Sequence, residues 1–452
     1  MSSGISQKFN PYRLIKFAMP SMIMMVFMSI YTIADGMFVS RFLGDGALSS
    51  VNLVYPVIFL VNGFGVMLGT GGSAVIAKLF GEGKHKKAHE DFTFFTCFGI
   101  FIGLLILGVT FLFSDQIILA LGSNDALMET CRDYLLPLVS FAPITILQLM
   151  YQCLFATAGK PQYGLILTGI GGILNVILDY LFLGPDNMGV MGAALATGIG
   201  QCLPAIFGLF YFGFACKELK FVRFVPDLKA LLQACFNGSS EMVTNLSNAI
   251  VTFLFNIIMM RLIGEAGVAA ITIILYSQFL FNSLFLGFSI GVAPIISFNY
   301  GSKNQKQLST VVKISFGFIV LSSLVITVSS LLLADKTVAI FVGSKNETYA
   351  LAVAGFTLFS FNYLFSGINI FSSSLFTALS DGKLSALLSF SRTFFVTVIC
   401  LLILPNIIGL NGVWLAVPFA EGITLFLSGF FVLHQDTKYQ YFRIHKTQEV
   451  IP

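Results

Sequence analysis

The stretch "RFLGDGALSSV" (41–51) returns in altered form as "RLIGEAGVAAI" (261–271), 220 positions further along the chain. The same offset aligns further aromatic, polar and glycine residues: Phe59 with Phe279, Asn62 with Asn282, Gly71 with Gly291, Gly81 with Gly301 and Lys86 with Lys306. Near the end of each half, "GVMGAALA" (189–196) matches "GLNGVWLA" (409–416), and between these regions "LFATAGK" (154–160) matches "LFTALSD" (375–381) at an offset of 221. Similarity at one fixed period indicates a tandem duplication of one structural unit.

The composition of both halves is that of a membrane protein. Hydrophobic residues make up 56% of the chain and charged residues 10%, with a mean hydropathy of +0.90. Apolar runs of about 20 residues recur along the whole chain, and each is long enough to cross a hydrocarbon core of about 30 Å as a helix. The first run follows Lys8, Arg13 and Lys16 and is too long for a signal peptide, so it is interpreted as the first membrane helix.

The apolar runs predict twelve helices, six in each copy of the repeat. Their predicted ranges are 12–39, 51–79, 92–113, 130–158, 162–184, 189–215, 230–260, 268–299, 308–334, 348–379, 384–405 and 410–434. Because six is even, both copies cross the membrane in the same sense, as parallel repeats. The predicted fold is an all-α integral membrane protein with an N-lobe (1–215), a cytoplasmic linker (216–229) and a C-lobe (230–452) that ends in a short cytoplasmic tail.

The basic residues predict the orientation. If the helices alternate, one side of the membrane holds 20 of the 25 Lys and Arg residues, with Lys78, Lys313 and Arg392 assigned to helix ends. The other side holds Arg41, Arg132, Arg261, Lys336 and Lys345. Cytoplasmic loops carry the basic excess, so both termini are predicted to be cytoplasmic in a multi-pass protein of the cell membrane. Basic loops such as "GEGKHKKAHE" (81–90) are interpreted as orientation signals, and no nucleic-acid partner is expected.

The acidic residues point to a function. Of the 21 acids, 17 fall in loops or at helix ends, and Asp35, Asp179, Glu241 and Glu421 fall inside predicted helices. A carboxylate within a membrane is costly unless it faces the bundle interior or a wet cavity, which makes each of the four a functional candidate. Glu241 and Glu421 have no acidic counterpart in the other half, where the offset of 220 finds Ser21 and Gln201.

Asp35 and Asp179 are predicted to lie at the same depth. Asp35 precedes Arg41, at the external end of the first helix, by about 9 Å at 1.5 Å per residue, and Asp179 precedes the Gly184 break by a similar distance. Asn175 shares a helix face with Asp179, as Tyr31 does with Asp35. Thr197 of the sixth helix descends to nearly the same level. This set of oxygens suits a proton or a small hard cation such as sodium, whereas the alternative is hydrogen bonding between neighbouring helices.

These residues resemble the multidrug and toxic compound extrusion (MATE) transporters, within them the bacterial branch that extrudes drugs. The resemblance rests on the helix plan, on Asp35 followed by the Arg-x-x-Gly turn at 41–44, on Asn-x-x-x-Asp (175–179) and on "GAALAT" (192–197). It implies a cation-coupling site of Asp35, Asn175, Asp179 and Thr197, which would also be the possible sodium site. Glu241 matches an acidic position in the seventh helix of some members. No match is found for their acid in the tenth helix, where this chain has Asn362 and Asn369.

The expected function is a secondary active antiporter that exports hydrophobic, often cationic compounds in exchange for protons or sodium. Tyr31, Glu241 and Glu421 are the candidate substrate-binding residues, and the 49 Phe and 15 Met offer adaptable apolar walls. For Glu241, substrate binding and a neutral structural role remain open.

No cofactor is expected, and the chain is expected to work in membrane lipid as a monomer. The alternatives are a lipid-linked precursor flippase, which should carry basic residues in its cavity, and a channel. An enzyme is not expected, since an HExxH motif is absent.

Overall fold

The computed structural model describes residues 4–123, 125–342 and 347–442, and within these ranges it contains helices and no strands. The α-helices, numbered in chain order, are α1 Pro11–Gly81, α2 His85–Leu112, α3 Ser114–Ala120, α4 Asp125–Ser140, α5 Ala142–Thr157, α6 Pro161–Leu183, α7 Gly189–Phe210, α8 Leu228–Leu262, α9 Glu265–Gly301, α10 Gln305–Leu332, α11 Ala334–Ala339, α12 Glu347–Phe359, α13 Tyr363–Ala378, α14 Gly382–Phe390, α15 Val396–Ile408 and α16 Leu410–Tyr439. Lys345, assigned above to the external side, and the predicted tail after residue 442 lie outside the described residues.

The predicted twelve membrane-spanning segments are confirmed. Eleven helical segments of the described chain are long and apolar enough to cross a membrane, and the pair Leu127–Ser140 and Ala142–Thr157 forms a twelfth span that is bent by 54°. The sequence predicts one helix over 130–158, whereas the structure divides this span into α4 and α5. Pro143 stands at the start of α5, where its missing N–H and its ring prevent the α4 helix from continuing through this point.

The first two spans belong to one continuous helical stretch that reverses direction. A straight helix of the length of α1 would extend for about 107 Å at 1.5 Å per residue. Near its start, however, Ala18 lies against Gly291 of α9, and near its end Lys78 lies against Gly301 of the same helix. Both ends of α1 therefore contact neighbouring parts of α9. The stretch must turn back between its two membrane spans, Pro11–Leu43 and Leu53–Gly81.

Four glycines let the two lobes meet backbone to backbone, and we call them the glycine seam: Gly71, Gly81, Gly238 and Gly301. A Cβ atom at Gly81 would lie 2.1 Å from the Phe298 carbonyl oxygen, and one at Gly301 would lie 2.2 Å from the Lys78 carbonyl oxygen. The two contacts are equivalent, since the offset of 220 relates Lys78 to Phe298. The lobes are thus related by a pseudo-twofold axis, as parallel repeats require.

The linker is attached to the N-lobe along the beginning of α2. The Phe221 ring stacks on Phe92 with 4.9 Å between ring centroids, and the Val222 amide donates a hydrogen bond of 3.1 Å to the Thr93 hydroxyl. At the end of the linker, Lys87 forms an ion pair of 2.8 Å with Asp227. The Lys87 ammonium holds the pKa of the Asp227 carboxyl below its usual value. Asp227 also caps α8 by accepting hydrogen bonds from the amides of its first turn.

Candidate functional site

Asp35 and Asp179 lie side by side in the N-lobe. Asp35 is on the first span of α1, Asp179 is on α6, and their carboxyl groups are within hydrogen-bonding reach of each other. Asp179 is fully buried. Among the described residues, no hydrogen-bond donor reaches either oxygen of Asp179 or the Oδ1 atom of Asp35. Buried oxygens of this kind are costly to leave unsatisfied, which indicates a site for a proton or a cation.

A glycine explains why the two carboxylates meet. At Gly172 of α6, a Cβ atom would lie 2.7 Å from the ring of Tyr31, so only glycine lets α6 approach α1 this closely. Asp179 follows Gly172 by two helical turns, and Asp35 follows Tyr31 by about one, which keeps each acid on the contacting face of its helix. The Tyr31 hydroxyl lies within hydrogen-bonding reach of Gln148 on α5.

Asn175 and Thr197 lie on the adjoining contact between α6 and α7. These helices also approach through glycine, since a Cβ atom at Gly171 would lie 2.6 Å from the Gly200 carbonyl oxygen. The Asn175 amide donates to the Thr197 hydroxyl over 3.5 Å. The Asn175 carbonyl oxygen is buried without a partner in the described part of the chain. The structure therefore brings together the four residues that the resemblance implies for cation coupling.

A small cavity opens beside this cluster, and its lining includes the polar residues Tyr31, Gln148, Asn175, Thr197 and Gln201. Its volume is about 20 Å³. Pockets for drug-sized ligands measure about 300–1,000 Å³. The cavity therefore suits an ion or ordered water better than an exported compound.

Sequence reasoning missed several neutral residues around the carboxylate pair. One of them is Gln148. Three others are Tyr55, Tyr134 and Tyr276, on which the Asp35 carboxylate acts electrostatically. Tyr276 comes from α9 of the C-lobe, and its hydroxyl lies 2.9 Å from the position of a Cβ atom at Gly36. The Asp35 site therefore borders the interface between the lobes. A census of acids could not find these tyrosines, because no charge distinguishes them from the other aromatic residues.

The C-lobe contains a buried ion pair instead of a carboxylate pair. Arg392 Nη1 lies 3.2 Å from Glu421 Oε1, and the side chains are 10% and 4% exposed. Asn369 donates a hydrogen bond of 2.7 Å to Glu421 Oε2. The assignment of Arg392 to a helix end is wrong: it lies in a single π-helical turn, Ser391–Phe395, ten residues beyond the start of α14. Counting residues from the helix end could not reveal that its side chain turns inward to Glu421.

Glu241 lies between the lobes and is only partly buried. It interacts electrostatically with Cys153 of the N-lobe on one side and with Arg392 of the C-lobe on the other. Its neighbours on α8 contact the N-lobe directly, since Met242 packs against Gly63 and Gly238 packs against Met67. Of the four intramembrane acids, Glu241 thus lies at the lobe interface, and Glu421 lies inside the C-lobe.

Twelve spans in two parallel repeats, with carboxylates within the spans and near the interface of the repeats, define the class of two-lobed membrane transporters. The family model described as MatE matches residues 20–181 and again 242–402, which together make up most of the chain. The protein belongs to this family. Each match covers one half, so the family's unit is the one that the internal repeat predicts.

Relatives and solved structures agree with this assignment. The chain is 25% identical over 419 residues to the multidrug export protein MepA of Staphylococcus haemolyticus strain JCSC1435, covering 92% of each protein. It is 26% identical over 431 residues to MepA of Staphylococcus aureus strain NCTC 8325 / PS 47, covering 90% of each. A crystal structure of MATE in complex with MaL6 superposes with a TM-score of 0.90 at 21% identity, over 97% of this chain and 100% of that one. An outward-facing multidrug resistance MATE transporter of the MOP superfamily gives 0.89 at 21% identity, over 96% and 97%.

Proposed function

We propose that the protein is a secondary active antiporter that exports hydrophobic, often cationic compounds from the cytoplasm by alternating access, in exchange for protons or sodium. The observation that carries this proposal is the contact between Asp35 and the buried Asp179, in which no donor of the described chain reaches three of the four carboxylate oxygens. Two adjacent carboxylates repel each other when both are ionised. Either one of them binds a proton or a cation lies between them. Such a site loads and releases the driving ion as its exposure to the two sides of the membrane changes.

The surrounding groups support either coupling ion. A proton shared by the two carboxyl groups would satisfy one oxygen of each. Sodium is a hard cation that prefers several oxygen ligands, and the carbonyl oxygen of Asn175 and the hydroxyl of Thr197 could supplement the carboxylates. Binding drives transport only if the ion prefers one conformation over the other. Tyr276 reaches this site from the opposite lobe. Because its distance from Asp35 changes when the lobes move, it is suited to make ion affinity depend on the arrangement of the lobes.

The substrate contacts are proposed to centre on Glu241. The residue is partly exposed at the lobe interface, where its carboxylate can attract an organic cation. Glu421 is a weaker candidate because Arg392 and Asn369 engage both of its oxygens. Tyr31 borders the small ion cavity, so it contacts a substrate only where that substrate approaches Asp35. The names of the relatives, multidrug export proteins, support export of varied compounds.

The flippase alternative is less well supported. A pyrophosphate headgroup calls for clustered Arg and Lys in the cavity. Arg392 lies within a membrane span, but its charge is already paired with Glu421.

We further propose a cell-membrane location with both termini and the linker cytoplasmic, lobes at 1–215 and 230–452, and function as a monomer in lipid without a cofactor.

Transport in inverted membrane vesicles tests the proposal. In these vesicles the cytoplasmic face is outside, so export appears as accumulation of a fluorescent cationic dye in the lumen. An acidic lumen and a sodium-rich lumen are imposed separately. Accumulation with one of the two gradients is expected, and the effective gradient identifies the coupling ion. No accumulation with either gradient, while the protein is present in the membrane, would overturn the antiporter proposal. Counterflow in proteoliposomes separates a carrier from a channel, and a labelled lipid-linked precursor tests the flippase.

A further inference from the structure

Three charged side chains of the C-lobe form one electrostatic group. Arg392 is paired with Glu421 and also attracts the carboxylate of Glu241. The contact with Glu421 joins one guanidinium nitrogen to one oxygen, whereas a paired fork would use two. The Nε atom of Arg392 is buried and has no partner in the described chain. One guanidinium therefore contacts Glu421 directly and acts on Glu241 at longer range.

The helix packing places Arg392 within reach of Glu241. α14 begins beside α8, where a Cβ atom at Gly382 would lie 2.3 Å from the carbonyl oxygen of Phe236. Both helices rise from this level in the same direction, which puts the backbone of Arg392 roughly 7.5 Å above that of Glu241 at 1.5 Å per residue. Long side chains on a helix point back toward its N-terminus. An arginine side chain that follows this rule shortens its separation from Glu241.

The repeat shows that Arg392 occupies the C-lobe counterpart of the N-lobe ion cavity. At the offsets of 220 and 221, Gln201 corresponds to Glu421 and Gln148 to Asn369. Arg392 corresponds to Gly171 or Gly172, the glycines that line the N-lobe cavity. At this position the N-lobe thus has a small cavity, and the C-lobe has the cationic side chain of Arg392.

We propose that Arg392 is a tethered counter-cation that competes with cationic substrates for Glu241. This inference rests on the proposed export of organic cations. Arg392 stays in the C-lobe and neutralises Glu241 whenever the two side chains approach, so it weakens the hold of Glu241 on a bound cation. Glu421 opposes this by drawing the guanidinium away. The affinity of Glu241 for a cationic substrate then depends on whether the guanidinium of Arg392 lies nearer to Glu241 or to Glu421. If that position differs between the two conformations, the substrate is released more readily on one side of the membrane.

Equilibrium binding to the purified full-length protein tests the proposal with two probes of similar shape, tetraphenylphosphonium, a permanent cation, and triphenylphosphine oxide, which is neutral. The double variant Arg392→Gln/Glu421→Gln removes the buried pair together and leaves no unpaired charge. It should bind tetraphenylphosphonium about tenfold more tightly, since Glu241 loses its internal competitor. The single variant Glu421→Gln should act in the opposite direction and weaken binding several-fold, because Arg392 is then free to pair with Glu241.

Control variants separate this role from simple stabilisation. Arg392→Lys keeps the charge and should change the Kd of the cation by less than about threefold. In a Glu241→Gln background, the double variant should have no further effect on cation binding. The Kd of the neutral probe should be unchanged throughout. Equal effects on both probes, or weaker cation binding in both the double and the Glu421→Gln variants, would overturn the tethered-cation role. If the wild-type protein binds neither probe, the proposed function fails, and this inference fails with it.

Discussion

The carboxyl groups of Asp35 and Asp179 meet within hydrogen-bonding reach in the N-lobe, and the second of these residues is fully buried. Two negative charges this close repel each other strongly in a poorly solvated site. A bound proton or cation removes the repulsion. The pair is thus a site whose charge depends on its occupant, and a charge that changes with occupancy is what an ion-coupled carrier requires.

The first prediction concerns this pair. Asp35→Asn and Asp179→Asn should each reduce gradient-driven dye transport to the background of vesicles without the protein. The amide keeps the size of the side chain but cannot ionise, so the driving ion loses its binding charge. Expression and thermal unfolding should remain close to wild type, because the repulsion between the acids is relieved at the same time. Transport in inverted vesicles and melting of the purified variants provide the measurement.

Matched variants provide the controls. Asp186→Asn changes an exposed acid in the turn after α6 and should leave transport unchanged. Asn175→Ala and Thr197→Ala remove neutral ligands and should slow coupled transport without abolishing it. If Asp35→Asn protein still moves dye against its gradient at the wild-type rate, the coupling role is wrong, and the pair then serves to hold α1 and α6 together.

The second prediction concerns Glu241. Glu241→Gln should weaken transport and binding of cationic compounds about tenfold, which corresponds to about 1.4 kcal/mol of lost attraction. Neutral compounds of similar size should be little affected, because the amide preserves the shape of the side chain. Glu265→Gln, at an exposed acid on the first turn of α9, is the control. Equal losses for charged and neutral compounds, or no loss for either, would favour the structural interpretation of Glu241.

The third prediction concerns orientation. Single cysteines placed at Asp186 and at Lys303, both exposed positions, should lie on opposite sides of the membrane, since the basic residues favour the Lys303 side as cytoplasmic. In intact cells and a cysteine-free background, a membrane-impermeant maleimide should label position 186 and not position 303. Labelling at 303 from outside would contradict the predicted topology.

Much of the fold could be predicted because the membrane limits the choices. Backbone groups in lipid must be satisfied within each helix, so long apolar runs indicate twelve spans, and the repeat indicates their parallel arrangement. The equal depth of Asp35 and Asp179 followed from the fixed rise per residue. The bend at Pro143 was missed because a bent helix and a straight helix of the same apolar composition have the same hydropathy.

The chemistry of the C-lobe was harder to predict. The pairing of Arg392 with Glu421 depends on which faces of α14 and α16 meet, and no periodic pattern marks those faces in a sequence that is apolar almost all round. The same limitation hid Gln148 and Tyr276. Their importance comes only from neighbours that are distant in the chain.

The fourth prediction concerns the glycine seam. A Cβ atom at Gly71 would lie 1.9 Å from the carbonyl oxygen of Ala234, and a backbone atom cannot rotate away as a side chain can. Gly71→Ala should therefore force α1 and α8 apart and destabilise this arrangement of the lobes by about 1–3 kcal/mol. Disulfide cross-linking between Lys78→Cys and Ser302→Cys, in a background without native cysteines, should become less efficient. Gly317→Ala is the matched control, because nothing lies within 4 Å of its added methyl group, and it should leave cross-linking unchanged. Equal cross-linking in the two variants would show that the lobes do not depend on close approach at Gly71.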